Sequence, residues 1–116
     1  MRQQQLTDKT GAPVAVTQEA DRFVISVEDT KAALTMYVDH EGRRIFYHTE
    51  ARDEFGGRGL ASILIAEALA ATRAEGLRIV PVCPLVARYV AKHDQYADVV
   101  DAPTPETLTW LRGHLG

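Results

Sequence analysis

Cysteine is almost absent: Cys83 is the one thiol in 116 residues. That excludes an intramolecular disulfide framework and a multi-cysteine zinc site. Long apolar runs are missing too. None approaches the roughly 18 residues that a transmembrane helix requires, so no membrane span is expected. A basic excess is also lacking. Lys and Arg number 13 against 16 Asp and Glu, a formal net charge of −3, and the cations are scattered. Nucleic-acid binders concentrate positive charge on one face, so no nucleic-acid partner is expected. The polar stretch 1–9 has no apolar segment of the kind that marks a secretory signal. With a free thiol, that points to the cytoplasm. His40, His93 and His114 read as surface residues, and four scattered histidines without a second cysteine make no metal site.

What is present is ordinary globular composition, 46% hydrophobic and 25% charged. The length supports one domain over 1–116, with a core of its own. Residues 1–20 are weakly patterned and read as a loosely ordered arm, with a short strand around Val14-Ala15-Val16. From Arg22 the pattern alternates: Phe23, Ile25 and Val27 point one way, which predicts a half-buried strand. Glu28-Asp29-Thr30-Lys31 is a turn. In the second strand Ala32, Leu34, Met36 and Val38 alternate with Thr35, Tyr37 and Asp39. Asp39-His40-Glu41-Gly42 turns the chain again, and residues 43–50 form a third strand rich in β-formers.

A loop over 51–57 precedes a change of period. Leu60, Ile63, Leu64, Ala68, Leu69 and Ala71 share a helical face, and Gly76 ends that helix. Residues 78–83 predict a strand whose Pro81 cannot donate to a ladder, which implies an edge or a break in pairing. Pro84 opens a second helix to about Lys92. Thr104-Pro105-Glu106 caps a third, which packs Leu108, Trp110 and Leu111. The order β-β-β-α-β-α-α is α/β (α+β): an antiparallel meander, then a βαβ unit. Its right-handed crossover sets the 78–83 strand parallel to the 43–50 strand, with helices flanking the sheet.

Ligands in such sheets gather beyond the carboxyl ends of the parallel strands. Here these ends are His48-Thr49-Glu50 and Val82-Cys83-Pro84. Gly56-Gly57-Arg58-Gly59 leads into the first helix from the same edge. Its first N–H groups have no intrahelical partner, and the dipole end there is positive. Gly57 and Gly59 permit close backbone approach, and Arg58 adds a cation, so a phosphate or pyrophosphate fits. A glycine-rich turn that merely starts a helix fits those glycines equally well. Cys83, before Pro84, is the predicted N-cap, where a dipole favours thiolate. A small buried packing residue is the alternative. His48 and Glu50, two apart on a strand, share a face and can act as a base or as polar contacts.

These motifs together resemble a family. His48-Thr49-Glu50, Gly57-Arg58-Gly59-Leu60-Ala61, and the run Ala74-Glu75-Gly76-Leu77-Arg78-Ile79-Val80-Pro81-Val82-Cys83-Pro84-Leu85-Val86 carry the likeness, followed by Tyr89 and His93-Asp94-Gln95-Tyr96. The chain resembles the short, single-domain GNAT-type N-acetyltransferases over roughly residues 20–100. The Val-Pro-x-Cys-Pro run is the specific part. The resemblance implies a compact GNAT fold that binds acetyl-CoA (or coenzyme A) and acetylates an amine acceptor. The implied contacts with the cofactor are Thr49, Gly56, Gly57, Arg58, Gly59, Leu60, Ala61, Cys83, Pro84 and Tyr89. The glycine loop would cradle the pyrophosphate, and the pantetheine arm would run between the splayed 43–50 and 78–83 strands. One departure stands out: Gly56 occupies the place where the broader superfamily carries Arg or Gln.

The implied chemistry assigns backbone N–H groups to the acetyl carbonyl, and His48 or Glu50 to the amine proton. Tyr89 would protonate the departing thiolate. A second route passes the acetyl group through Cys83. Two other readings remain open. One is a non-catalytic module that binds CoA. The other is a thiol-dependent redox protein, against which the lack of a resolving cysteine weighs.

Overall fold

The computed structural model describes residues 6–56 and 59–115. Six strands form one sheet in the order β1-β2-β3-β4-β5-β6: Leu6–Thr7, Pro13–Gln18, Arg22–Val27, Thr30–His40, Arg43–Ala51 and Arg78–Pro81. All neighbours pair antiparallel except β5 and β6, which are parallel. The helices are α1 (Leu60–Ala74), α2 (Pro84–Lys92) and α3 (Pro105–Leu115), with short helical turns at Asp53–Phe55 and Asp94–Val99. The predicted meander and parallel crossover are both present.

The N-terminal segment is in part a correction: the short strand expected around Val14-Ala15-Val16 is present within β2, but the rest is more ordered than expected. Residues 6–18 are no loose arm but two strands on the far edge of the sheet. Val14 pairs with Val27 and is only 3% exposed, while Val16 pairs with Ile25. Two inward valines among polar neighbours give a faint period-2 signal, yet the partner strand supplies the ladder. Residues 1–5 of the expected arm lie outside the described residues.

Both hairpins of the meander turn on two residues with positive φ: Glu28 and Asp29 (49° and 68°), then Glu41 and Gly42 (52° and 77°). Such turns match the twist of the flanking strands. The tightness of these turns lengthens β4 beyond the expected 32–38, to 11 residues.

β4 also reverses an expectation about its faces. Pairing sets Thr35 opposite Phe23 and Ala33 opposite Ile25, so these share the face covered by α1 and α2. Thr35 is fully buried and Tyr37 is 5% exposed, while Leu34, Met36 and Val38 lie half-buried on the other face. That second face is itself partly covered. Leu111 of α3 packs there on Ile45 and Val80, with Val38, Tyr47 and Trp110 beside them. His114 is exposed as expected and His40 is half-buried; their rings stack against Trp110 at 4.9 and 3.8 Å. A sheet with two covered sides does not sort apolar from polar by simple alternation.

On α1 the buried stripe is Leu60, Leu64, Ile65, Ala68, Leu69 and Thr72. Ile63 and Ala71, expected on it, border it half-buried. Gly76 closes the helix with φ of +76°, as its Gly identity predicts. Its N–H donates to Arg73 O, and the Leu77 N–H reaches back to Thr72 O. The Thr104 hydroxyl accepts from the Thr107 N–H and caps α3 as expected.

One buried cation ties the sheet to α1. Arg44 is 2% exposed and bonds Asp39 through Nε and Nη2 at 2.8 and 2.9 Å. It also reaches both Glu75 oxygens at 3.0 and 3.1 Å and lies over the Tyr37 ring. Burial opposes the charge, but the two carboxylates outweigh it and hold the guanidinium firmly protonated.

Candidate active site

The site begins where β5 and β6 part. Their last paired residues are Phe46 and Pro81. The Phe46 carbonyl then accepts from both Val82 N–H (3.0 Å) and Cys83 N–H (2.8 Å), which closes the ladder. β6 therefore ends at Pro81, short of the expected 83, because the chain turns there into α2. Beyond this point β5 continues with β4 alone, through His48↔Met36, Thr49↔Thr35 and Glu50↔Leu34. Pro81 lies on the last strand of the sheet, where a missing donor is tolerated.

A bulge sets what faces what. Met36 pairs with His48 and Tyr37 with Phe46, leaving Tyr47 as the extra residue of β5. Such an insertion re-aims the side chains after it. Thr49 thereby joins Phe46 on the helix-covered face. His48 and Glu50 fall on the opposite face, where Nε2 of His48 lies 2.8 Å from Oε2 of Glu50. Both are open to solvent, at 50% and 63% side-chain exposure. The shared face that their spacing predicts is thus real, and the two form a pair.

On the other face, the Thr49 hydroxyl lies 3.1 Å from the Cys83 sulfur and 3.0 Å from the Thr35 hydroxyl. Cys83 is the N-cap of α2, as expected, with Pro84 at the first helical position. Its side chain makes no cap bond and is 4% exposed. The sulfur is packed against a hydroxyl rather than presented to solvent. Thr35 was missed in sequence because only strand register brings it to Thr49.

Tyr89 lies on α2, half-buried, its ring stacked on His93 at 4.2 Å. Burial pushes its phenol above the ordinary value, and Tyr96 adds to this. Among the described residues no hydrogen bond joins Tyr89 to Cys83, Thr49, His48 or Glu50.

The glycine segment starts α1 at the same end of the sheet. Gly59 is the N-cap, left-handed at φ +73°, and no side chain caps it. The N–H groups of Leu60, Ala61 and Ser62 in the first turn lack intrahelical partners. A groove of about 180 Å³ is lined there by Gly56, Gly59, Leu60, Ala61 and Ser62 on one side, and by Ala32, Ala33, Ala51 and Arg52 on the other. A second groove of about 240 Å³ shares Ala32, Ala33, Ala51 and Arg52, and reaches Glu50 and Leu34. Gly57 and Arg58, both named in the sequence reading, lie outside the described residues. Arg52 was missed, although a cation four residues before Gly56 was a visible signal. Among the described residues no group of three or more His, Cys, Asp and Glu could hold a metal ion. No described helix is long and apolar enough to cross a membrane.

A sheet that parts beside a glycine-started helix belongs to a known class. Residues 22–99 match the family model of the GCN5-related N-acetyl-transferases, and the chain belongs to that family, which makes it an acyltransferase. It is similar in structure to a GCN5-like candidate N-acetyltransferase from Staphylococcus aureus solved by NMR. The two are 25% identical with a TM-score of 0.61, over 78% of this chain and 91% of that one. Among curated proteins none matches the sequence.

Proposed function

We propose that this chain, as a single domain over 1–116, transfers the acetyl group of acetyl-CoA to an amine. The observation that carries the reading is the parting of β5 and β6 after Phe46, beside the uncapped start of α1. Gly59 is fit for a phosphate group. It carries no Cβ, and the first-turn N–H groups suit an anion. Gly56, Gly57, Arg58, Gly59, Leu60 and Ala61 would hold the pyrophosphate. Thr49, Cys83, Pro84 and Tyr89 would border the pantetheine arm and thioester.

Acetyl-CoA, when bound, supplies an activated acetyl thioester. This chain's residues would then manage protons and charge. Backbone N–H groups at the parted strands would stabilise the oxyanion. The His48–Glu50 pair would take the proton from the attacking amine, as the N–C bond forms and the C–S bond breaks. The Tyr89 phenol, kept neutral by burial, would donate its proton to the departing thiolate. His48 and Glu50 occupy the opposite face of β5 from Cys83. An amine arriving on their face would attack directly, with no acetyl-cysteine stage. The acceptor is a small-molecule or protein amine, and the free thiol fits a cytoplasmic setting.

The test is mass spectrometry of the protein with acetyl-CoA and a panel of amines. Release of CoA together with an acetylated amine supports the reading. Binding without turnover over a broad panel favours a CoA-binding module instead. Thiol oxidation without acetyl transfer favours a redox role for Cys83.

A further inference from the structure

We propose that Lys9 is a pyrophosphate contact of the cofactor groove, delivered by the N-terminal hairpin. This rests on the acetyl-CoA reading above. The hairpin precedes the family segment 22–99, so the contact is an addition to the glycine loop rather than part of it.

The hairpin is built to hold its tip still. The Asp8 side chain, 5% exposed, accepts from the Thr10 N–H (2.8 Å), the Thr10 hydroxyl (2.6 Å) and the Ala12 N–H (3.0 Å). The Asp8 N–H donates to Ala12 O, and the Gly11 N–H to Asp8 O. Leu6↔Val14 and Thr7↔Pro13 anchor the tip to β2. Lys9 projects from this knot across the start of α1. A Cβ placed on Gly59 would meet Lys9 Cε at 2.9 Å, Cγ at 3.3 Å and Cδ at 3.4 Å. The ammonium is one bond beyond Cε, which keeps it near Gly59, the N-cap of α1.

Three sources of positive potential neighbour Gly59: the α1 N-terminus that it caps, the Lys9 stem packed on it, and Arg52, which lines the same groove. Asp53 and Glu54 lie in the turn before Gly56 and are solvent-exposed. Among the described residues no carboxylate pairs with Lys9 or Arg52. Like charges gathered without an internal counter-ion are complementary to an anion from outside. A dianionic pyrophosphate satisfies all three, and Gly59 is the position where a side chain would compete with Lys9 for that space.

Calorimetric titration of CoA tests this with wild type, Lys9→Gln and Lys9→Arg, at two salt concentrations. Lys9→Gln should weaken CoA binding about five- to tenfold and flatten its salt dependence, while Lys9→Arg stays close to wild type. The same loss should appear with dephospho-CoA, which keeps the pyrophosphate. CoA should also protect Lys9 from reductive methylation, read by peptide mass spectrometry. Unaltered CoA affinity in Lys9→Gln overturns the proposal and leaves the acetyl-CoA reading standing. A loss confined to CoA and absent with dephospho-CoA overturns the pyrophosphate assignment. Failure of the wild type to bind CoA overturns both. Lys9 is exposed, so an unchanged melting temperature is expected in both variants.

Discussion

Thr49 and Cys83 touch across the gap between two strands that have stopped pairing: hydroxyl to sulfur is 3.1 Å, and no backbone ladder joins β5 to β6 there. With Thr35 behind it, Thr49 links the buried middle of β4 to the start of α2. Replacing Thr49 by valine keeps the shape but leaves the buried Thr35 hydroxyl without this partner. The cost should be about 1–2 kcal/mol in urea unfolding. Serine at the same position should recover most of it. A valine variant as stable as wild type would mean that the hydroxyl chain contributes nothing.

On the other face of β5, the His48–Glu50 pair is open to solvent, so its variants should fold normally. Glu50→Gln and His48→Ala should each lower turnover, by about 100-fold where the lost group is the base. CoA affinity should be unaffected. Steady-state rates with a responsive amine, beside calorimetry, separate the two effects. Full turnover in both variants would remove the pair from the chemistry.

Gly59 combines left-handed backbone with a crowded neighbour, the Lys9 stem. Gly59→Val should weaken CoA binding by tenfold or more, because a β-branched residue resists φ of +73° and fills the approach to the first-turn N–H groups. Thermal unfolding should also drop by a few degrees. Wild-type CoA affinity in this variant would place the phosphates elsewhere.

Asp101 sets an acid limit on stability. Its oxygens receive Arg78 at 2.8 Å twice and Arg43 at 2.9 Å, while its N–H donates to Ile79 O. The Arg78 bond lowers the carboxyl most; burial opposes it, and the Arg43 bond with the charges of both arginines brings it to about 2. A carboxyl lowered on folding stabilises the folded state above its unfolded value, near 4, and loses that contribution as pH falls toward 2. Stability from this group should therefore be level from pH 7 to 5 and decline between about 4 and 2. Asp101→Asn should cost about 1 kcal/mol at pH 7, allowing for solvent screening, and should flatten the decline. Urea unfolding across pH reads both.

Which parts of this were legible in the sequence follows from where the signal resides. The turns at Glu28-Asp29 and Glu41-Gly42, the stop at Gly76 and the caps at Cys83 and Thr104 are local events, written in residues that touch each other. The family run from Ala74 to Val86 then identified the fold. The covered face of β4 was not legible, since Thr35 and Tyr37 are inward only because Phe23 and Phe46 are their neighbours across the ladder. Arg44 buried between two carboxylates reads locally as one more surface cation. β1 and the full length of β2 were missed for a related reason: a short edge strand takes its order from its partner.

Cys83 decides between two chemical routes. Its position as the N-cap of α2, where β5 and β6 part, would make it a candidate acyl carrier. Its surroundings argue the other way. The sulfur is buried at 4% exposure, packed in the cluster that includes Phe46 and Val86, and bonded to Thr49. A carrier must meet the thioester and then present its acetyl group to the amine, whereas His48 and Glu50 lie across the strand. Direct attack needs no movement of the sulfur. Cys83→Ala should therefore keep CoA affinity and lower turnover only a few-fold, through the small cavity it leaves. Native Cys83 should alkylate with iodoacetamide more slowly than a peptide thiol at pH 7, and faster once urea opens the core. Intact-mass spectra should show no acetylated enzyme during turnover. A Cys83→Ala variant with full CoA affinity and a loss of 100-fold or more, about 2.7 kcal/mol in the barrier, would move the reaction onto the acetyl-cysteine route.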